Sequence, residues 1–237
     1  IMIMYKNNIK NLIKLRQQIV KFKKKEEQNI QPILNWRKKL IRQSKITTKL
    51  INLKDCKDWF LDGNKNLYHK SGQFFKVQGV KVTGAKKREV SSWTQPILTQ
   101  KHGGVLAFIC RVTERYGVQF LIEAKTEPGD DSDIKIASSF QATQSNINRA
   151  HGGRRPKYYD IVVQLKGAKL IYCAAHNEEG ARFWKKSNLN VIVQLNNPYD
   201  PRIEGKNYKW ASYTQLKKIA LKNNIINPFV KTILFMI

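Results

Sequence analysis

The sequence predicts an α+β fold: a mixed, mostly antiparallel, curled sheet flanked by helices, with an N-terminal helical appendage. Three observations carry this. Apolar residues near the start recur at a helical period. From Trp59 onward, short β-type runs alternate with turns. A helix with strong start signals lies close to the C-terminus.

In order along the chain, Ile9, Leu12, Ile13, Leu15, Ile19, Val20 and Phe22 lie near a 3.6 period with Lys between them, so residues 8–28 form an amphipathic helix. A second helix is expected over Gln31–Gln43, with Pro32 early, where its missing N–H is harmless. Residues 1–57 thus form the helical segment and residues 58–237 the main domain. The apolar face of the first helix must pack either on that domain or on a second subunit. Gly72–Gly84 supplies one or two strands. "VLAFICRV" and "VQFLIEAK" form a hairpin across "TERYG", where Gly117 can take positive φ. In "SSWTQPIL", Pro96 ends any donor ladder. "KIASSFQAT", "YYDIVVQL", "AKLIYCAA" and "VIVQL" are further strand candidates, and Asn177–Asn188 is a short helix, acidic first and basic last. In "ASYTQLKKIALKNN", Ser212 and Gln215 make a capping box. The sheet is expected to carry its helices on one side.

A length of 237 residues with 41% hydrophobic content excludes a disordered chain. No apolar run is long enough to span a membrane, and "IMIMY" is too brief for a signal peptide, so a cytoplasmic protein is expected. Cys56, Cys110 and Cys173 have no paired spacing and are expected to be reduced. The formal charge is +27. Residues 1–60 hold 16 basic and 4 acidic residues, so the excess is global with some N-terminal concentration. Such charge suits nucleic acid through counterion release, and equally suits a small acidic ligand.

Dinucleotide, phosphate-loop and serine-hydrolase motifs are absent, and the four His are scattered. Polar clusters between strands remain, most densely from Gly129 to Asp160. Amides and hydroxyls match sugar hydroxyls, Arg forks match a diphosphate, and aromatic faces stack on a base or a sugar ring.

"HKSGQFFKVQGV", "WTQPIL", "EAKTEPGD", "QATQSNINRAHGG", "EEGARFW" and "YKWASYTQLKKIALKNNIINPFVKTIL" occur in this order over roughly residues 59–235. Together they resemble the NDP-hexose 2,3-dehydratase family of deoxysugar biosynthesis. The resemblance implies a Nudix-related fold, a homodimer, and a nucleotide-linked 4-keto-6-deoxyhexose as substrate, with dTDP as the expected nucleotide. It implies no required metal, and no cofactor is expected. The best-known members carry two tandem copies of this domain, one of them a remnant, whereas this chain has one. The metal-binding Nudix box is missing.

The implied reaction removes a proton from carbon 3, α to the ketone, and expels the carbon 2 hydroxyl. It needs a base, donors on the carbon 4 oxygen and assistance to the leaving group. His151, His69 and Glu127 are the catalytic candidates. Each His is equally open to a structural role, and Glu127 to a turn-stabilising one. Gln141, Thr143, Ser145 and Asn146 are expected on the sugar, although Asn and Ser also serve local turns. Arg154, Arg155 and Arg182 are expected near diphosphate. Trp93 and Tyr158 are expected to line the nucleotide pocket, with plain packing the alternative, and Gln95 is a further substrate-binding candidate. Gly152–Gly153 is expected to allow a turn or a close backbone approach. Two other readings stay open: a noncatalytic nucleotide-sugar-binding partner subunit, and a nucleic-acid-binding protein.

Overall fold

The computed structural model describes residues 9–130, 133–150 and 152–237. Helix α1 (Ile9–Phe22) buries Leu12, Leu15, Ile19 and Phe22, the face its period predicts. Helix α2 (Gln31–Gln43) begins with Pro32 in its first turn. Strands β1 (Trp59–Leu61), β2 (Leu67–His69), β3 (Lys76–Val82) and β4 (Trp93–Thr99) follow. Then come β5 (Gly104–Thr113), β6 (Gly117–Lys125), β7 (Lys135–Ser138), β8 (Phe140–Thr143) and the short helices α3 (Gln144–Ile147) and α4 (Tyr159–Val162). β9 (Ala168–Asn177), β10 (Phe183–Trp184), β11 (Ser187–Leu195), β12 (Tyr208–Ser212), α5 (Tyr213–Ala220) and α6 (Pro228–Phe235) complete the chain.

The strands form two sheets. The small one has the order β1-β2-β3-β4-β10, and the large one is built on β12-β6-β5-β11-β9 with β7 on β6 and β8 on β5. Only β5–β11 and β4–β10 are parallel among these strand pairs. Helices cover both faces of the large sheet rather than one. Apolar residues of α1, α5 and α6 meet Phe108, Phe120 and Ile192 on one face. Ile147 of α3 and Ile161 and Val162 of α4 meet Val105, Ile109 and Leu121 on the other. Both faces of β5 and β6 are apolar, so each needs a cover.

The N-terminal segment is built into that core. Leu12, Leu15 and Ile19 belong to the same cluster as Phe108. The connector after α1 also latches onto α5: Thr214 donates to Glu26 through its N–H (3.2 Å) and hydroxyl (2.6 Å), and Gln215 Nε2 donates to the Asn29 carbonyl (2.6 Å). The predicted Ser212–Gln215 capping box is present.

The large sheet has a fork that shapes everything below it. The β5–β6 hairpin is paired from Thr113↔Gly117 to Cys110↔Phe120, with Gly117 at φ +65°. Beyond that the strands part. β6 continues against β7, and β5 continues against β8. Ser139 sits at the parting point, buried. Its hydroxyl donates to the Leu121 carbonyl (2.6 Å) and accepts from the Ile109 N–H (2.8 Å), replacing the ladder bonds that the fork removes. "KIASSFQAT" is therefore two strands, not one.

Three other expectations change. "YYDIVVQL" holds a helical turn: Val162 and Val163 donate to the carbonyls of Tyr158 and Tyr159. Its apolar residues reach the sheet face by packing instead of pairing. The stretch 177–188 is extended at both ends with a tight turn at Glu179, and Arg182 and Phe183 both donate to the Glu179 carbonyl. Finally, β4 runs through Pro96. Leu98 N–H points to the Arg182 carbonyl, so residue 96 faces the same side, where β10 has not yet begun. No ladder bond is lost there.

Candidate active site

The forked end of the large sheet opens a cavity of about 460 Å³. The chain after β6 (Lys125 to Pro128), β8 (Gln141 to Thr143), the start of β5 and Phe229 of α6 form its walls, and the segment 178–188 closes it. Four of the predicted site residues line it: Glu127, Gln141, Thr143 and Asn146.

The chain at the end of β6 and the segment 178–188 each carry a lysine–carboxylate pair. Lys125 lies 3.2 Å from Glu127, and Lys186 lies 3.4 Å from Glu178. The second pair is the more withdrawn, with side chains 9% and 10% exposed. Asn188 connects it to the sheet: its Nδ2 donates to Glu178 (2.6 Å), and its Oδ1 accepts from the Gly104 N–H (2.8 Å). The backbones here are very close. A Cβ on Gly103 would collide with the Ser187 carbonyl, and one on Gly104 would stand 2.6 Å from the Ala142 carbonyl. The close approach that glycine permits is therefore at Gly103–Gly104, whereas Gly152 has φ +69° in open space.

Gln141 is the most informative group. Lys125 Nζ, which can only donate, points at Gln141 Oε1 (3.2 Å), so the amide orientation is fixed. Gln141 Nε2 is then a buried donor with no partner. Such a group costs free energy until an acceptor arrives.

Apart from Thr143, the residues described next lie outside this cavity. Thr143 and Ser145 share a hydroxyl–hydroxyl bond (2.8 Å), and Thr143 also caps α3 by accepting from Asn146 N–H. His69 belongs to an aromatic cluster on the small sheet, with Nδ1 on Ser71 Oγ (2.9 Å) and its ring 4.6 Å from Phe74. His151 lies outside the described residues. Trp93 donates to Gln95 (2.9 Å), which donates to the Ala181 carbonyl (2.7 Å); together they clasp the segment bearing Glu178 and Lys186. Arg182 is exposed and pairs with Glu179 (3.1 Å). Arg154 lies on the surface, as does Arg155, whose guanidinium sits over the Tyr159 ring. Tyr158 is a core residue, its hydroxyl on the Glu204 carbonyl (2.8 Å) and its ring against Tyr208. Burial pushes its phenol up to about 12.

Lys186, Glu178, Asn188 and Asn190 were not singled out from the sequence. The available signal was "SNLNVIVQL", where Asn188 and Asn190 share one face ahead of the apolar run Val191–Val193. Among the described residues no cluster of three or more His, Cys, Asp or Glu comes together to hold a metal.

A family model described as NDP-hexose 2,3-dehydratase matches residues 30–237, nearly the whole chain. The chain belongs to the NDP-hexose 2,3-dehydratase family. The match begins at Ile30, just before α2, within the segment that the sequence pattern set apart. The chain is 29% identical over 203 residues to a dTDP-4-dehydro-6-deoxy-alpha-D-glucopyranose 2,3-dehydratase of Saccharopolyspora spinosa. That match covers 84% of this chain and 40% of the relative. A protein of the same description from Amycolatopsis orientalis is 30% identical over 189 residues, covering 76% and 38%. The chain thus spans about 40% of the length of these curated relatives. A solved structure described as an ADP compounds hydrolase superposes with a TM-score of 0.44 at 11% identity, covering 81% of this chain and 94% of that one.

Proposed function

We propose that this chain is a lyase that removes water from a dTDP-linked 4-keto-6-deoxyhexose, giving a 3,4-diketo-2,6-dideoxy sugar. The single observation that carries the reading is the unpartnered Gln141 Nε2 beside Lys125 and Glu127 in the cavity of a 2,3-dehydratase-family chain. Gln141 Nε2 and Lys125 Nζ donate to the carbon 4 oxygen and hold the negative charge that develops there. Glu127 takes the carbon 3 proton and forms a carboxylic acid. The electron pair released moves through the carbon 3–carbon 2 bond, the carbon 2–oxygen bond breaks, and the same acid returns its proton to the leaving hydroxyl. Water departs, no proton is left over, and the enol product ketonises. Lys186, held by Glu178 at the shared wall, faces the diphosphate. The steps need neither metal nor cofactor.

The reading extends to a cytoplasmic homodimer. No helix among the described residues is long and apolar enough to cross a membrane. The exposed Phe60, Leu61 and Trp184 of the small sheet offer apolar area to a second copy. Size-exclusion chromatography with light scattering tests the assembly: a dimer supports it and a monomer refutes it. The activity itself is tested by incubating the protein with dTDP-4-keto-6-deoxyglucose and following product mass. Loss of one water supports the lyase. Tight binding without mass change supports instead a noncatalytic nucleotide-sugar-binding subunit.

A further inference from the structure

A second lobe of about 360 Å³ adjoins the first and shares Leu106, Glu178, Phe183, Asn188 and Phe229 with it. Its lining includes Asn190, Thr232 and His176. Asn190 is 1% exposed. Its Nδ2 donates to the Asn188 carbonyl (3.2 Å), which fixes the amide so that Oδ1 is a buried acceptor with no partner. The two lobes therefore carry opposite demands. Gln141 lacks an acceptor in the first, and Asn190 lacks a donor in the second.

Charge sorts the rest of the ligand. Lys125 and Lys186, with their partners Glu127 and Glu178, line the first lobe, and no Lys or Arg lines the second. The second lobe offers no cation to a phosphate, whereas a neutral, flat group with an N–H edge suits a lining of Phe183, Phe229 and Asn190. Building on the nucleotide-sugar reading above, we infer that the second lobe holds the base, and that Asn190 Oδ1 accepts the ring N–H of a pyrimidine-2,4-dione. A base whose ring nitrogen is itself an acceptor, such as cytosine, turns a lone pair toward Asn190 and is disfavoured. Asn190 is thus a specificity-determining residue that takes no part in the elimination.

The test uses the intact protein and calorimetric binding of dTDP, its N3-methyl derivative and CDP. Loss of one buried hydrogen bond that leaves its acceptor unmet weakens binding by about 10- to 100-fold. The N3-methyl derivative and CDP are each expected to bind weaker than dTDP by that factor, and Asn190→Leu is expected to remove the difference. The comparison on the unmodified protein needs no variant to fold. Equal binding of dTDP and N3-methyl-dTDP overturns the inference, as does a preference that survives in Asn190→Leu. If dTDP binds and water is lost from the nucleotide sugar while methylation has no effect, only this inference falls. If none of the nucleotides binds, it falls together with the reading it rests on.

Discussion

The two sheets of this chain are built from similar strands and treated in opposite ways. Both faces of the large sheet are covered, and Phe108, Ile109, Phe120 and Ile122 have no exposed surface. The small sheet has one buried hydrophobic residue, Ile97, and leaves Phe60, Leu61 and Trp184 about half exposed or more. Burial is what makes a sheet rigid, because removing apolar area from water is the main source of stability. The large sheet is thus the scaffold, and its fork holds the cavity walls in fixed positions. The small sheet acts at second hand. Through Trp93, Gln95 and β10 it clasps the segment bearing Glu178, Phe183 and Lys186.

This contrast can be broken experimentally, beginning with the largest effect. Phe108→Ala removes a ring from the covered face and is expected to cost about 3–5 kcal/mol in urea unfolding. A loss near zero there would mean the face is not the scaffold. Gln141→Leu removes the free donor with little change in volume, and kcat is expected to fall by about 10²–10³ with the fold retained. Ser139→Ala leaves the Leu121 carbonyl and the Ile109 N–H unmet at the fork, costing about 2 kcal/mol. Amide exchange should then accelerate at Ile109 before it does at Phe120.

Glu123 sharpens the comparison through pH. Burial raises its carboxyl pKa, opposed by Lys125, the hydrogen bond with Tyr208 and Lys157, and reinforced by Glu127. The folded state therefore holds this proton at pH values where the unfolded chain has lost it. Its contribution is fully present below the ordinary carboxylate range and is lost as pH rises through the raised value. In urea titrations Glu123→Gln should lack that loss; parallel pH profiles for the two proteins would refute it. The smallest effect belongs to the small sheet. Phe60→Ser is expected to change stability by less than about 0.5 kcal/mol in the isolated chain. A large loss would show that this sheet has a cover in solution.

Much of the scaffold was legible because its signals are local. Pro32 marked α2, Gly117 the hairpin, and Ser212 with Gln215 the cap of α5. What failed to read depended on distant partners. "YYDIVVQL" has strand composition, yet the sheet face it meets is already paired, so it turns as α4. Glu127, Gln141, Thr143 and Asn146 stood out as polar groups around strand ends, and the fork brings them to one cavity. Lys186 and Asn188 arrive because β11 runs parallel to β5, setting Leu189 beside Val105. No local pattern encodes that neighbour. Arg154, Arg155 and Arg182 looked suited to phosphate by type alone, and type does not report which way a loop faces.

In the reaction proposed above, proton removal and water loss take place at the forked end of the large sheet, with Glu127 as the base. The most direct measurement is kcat for water loss from dTDP-4-keto-6-deoxyglucose by Glu127→Gln, with dTDP affinity measured alongside. A fall in kcat of about 10²–10⁴ is expected, with nucleotide affinity unchanged. Turnover at the unmodified rate in a folded Glu127→Gln protein would contradict it.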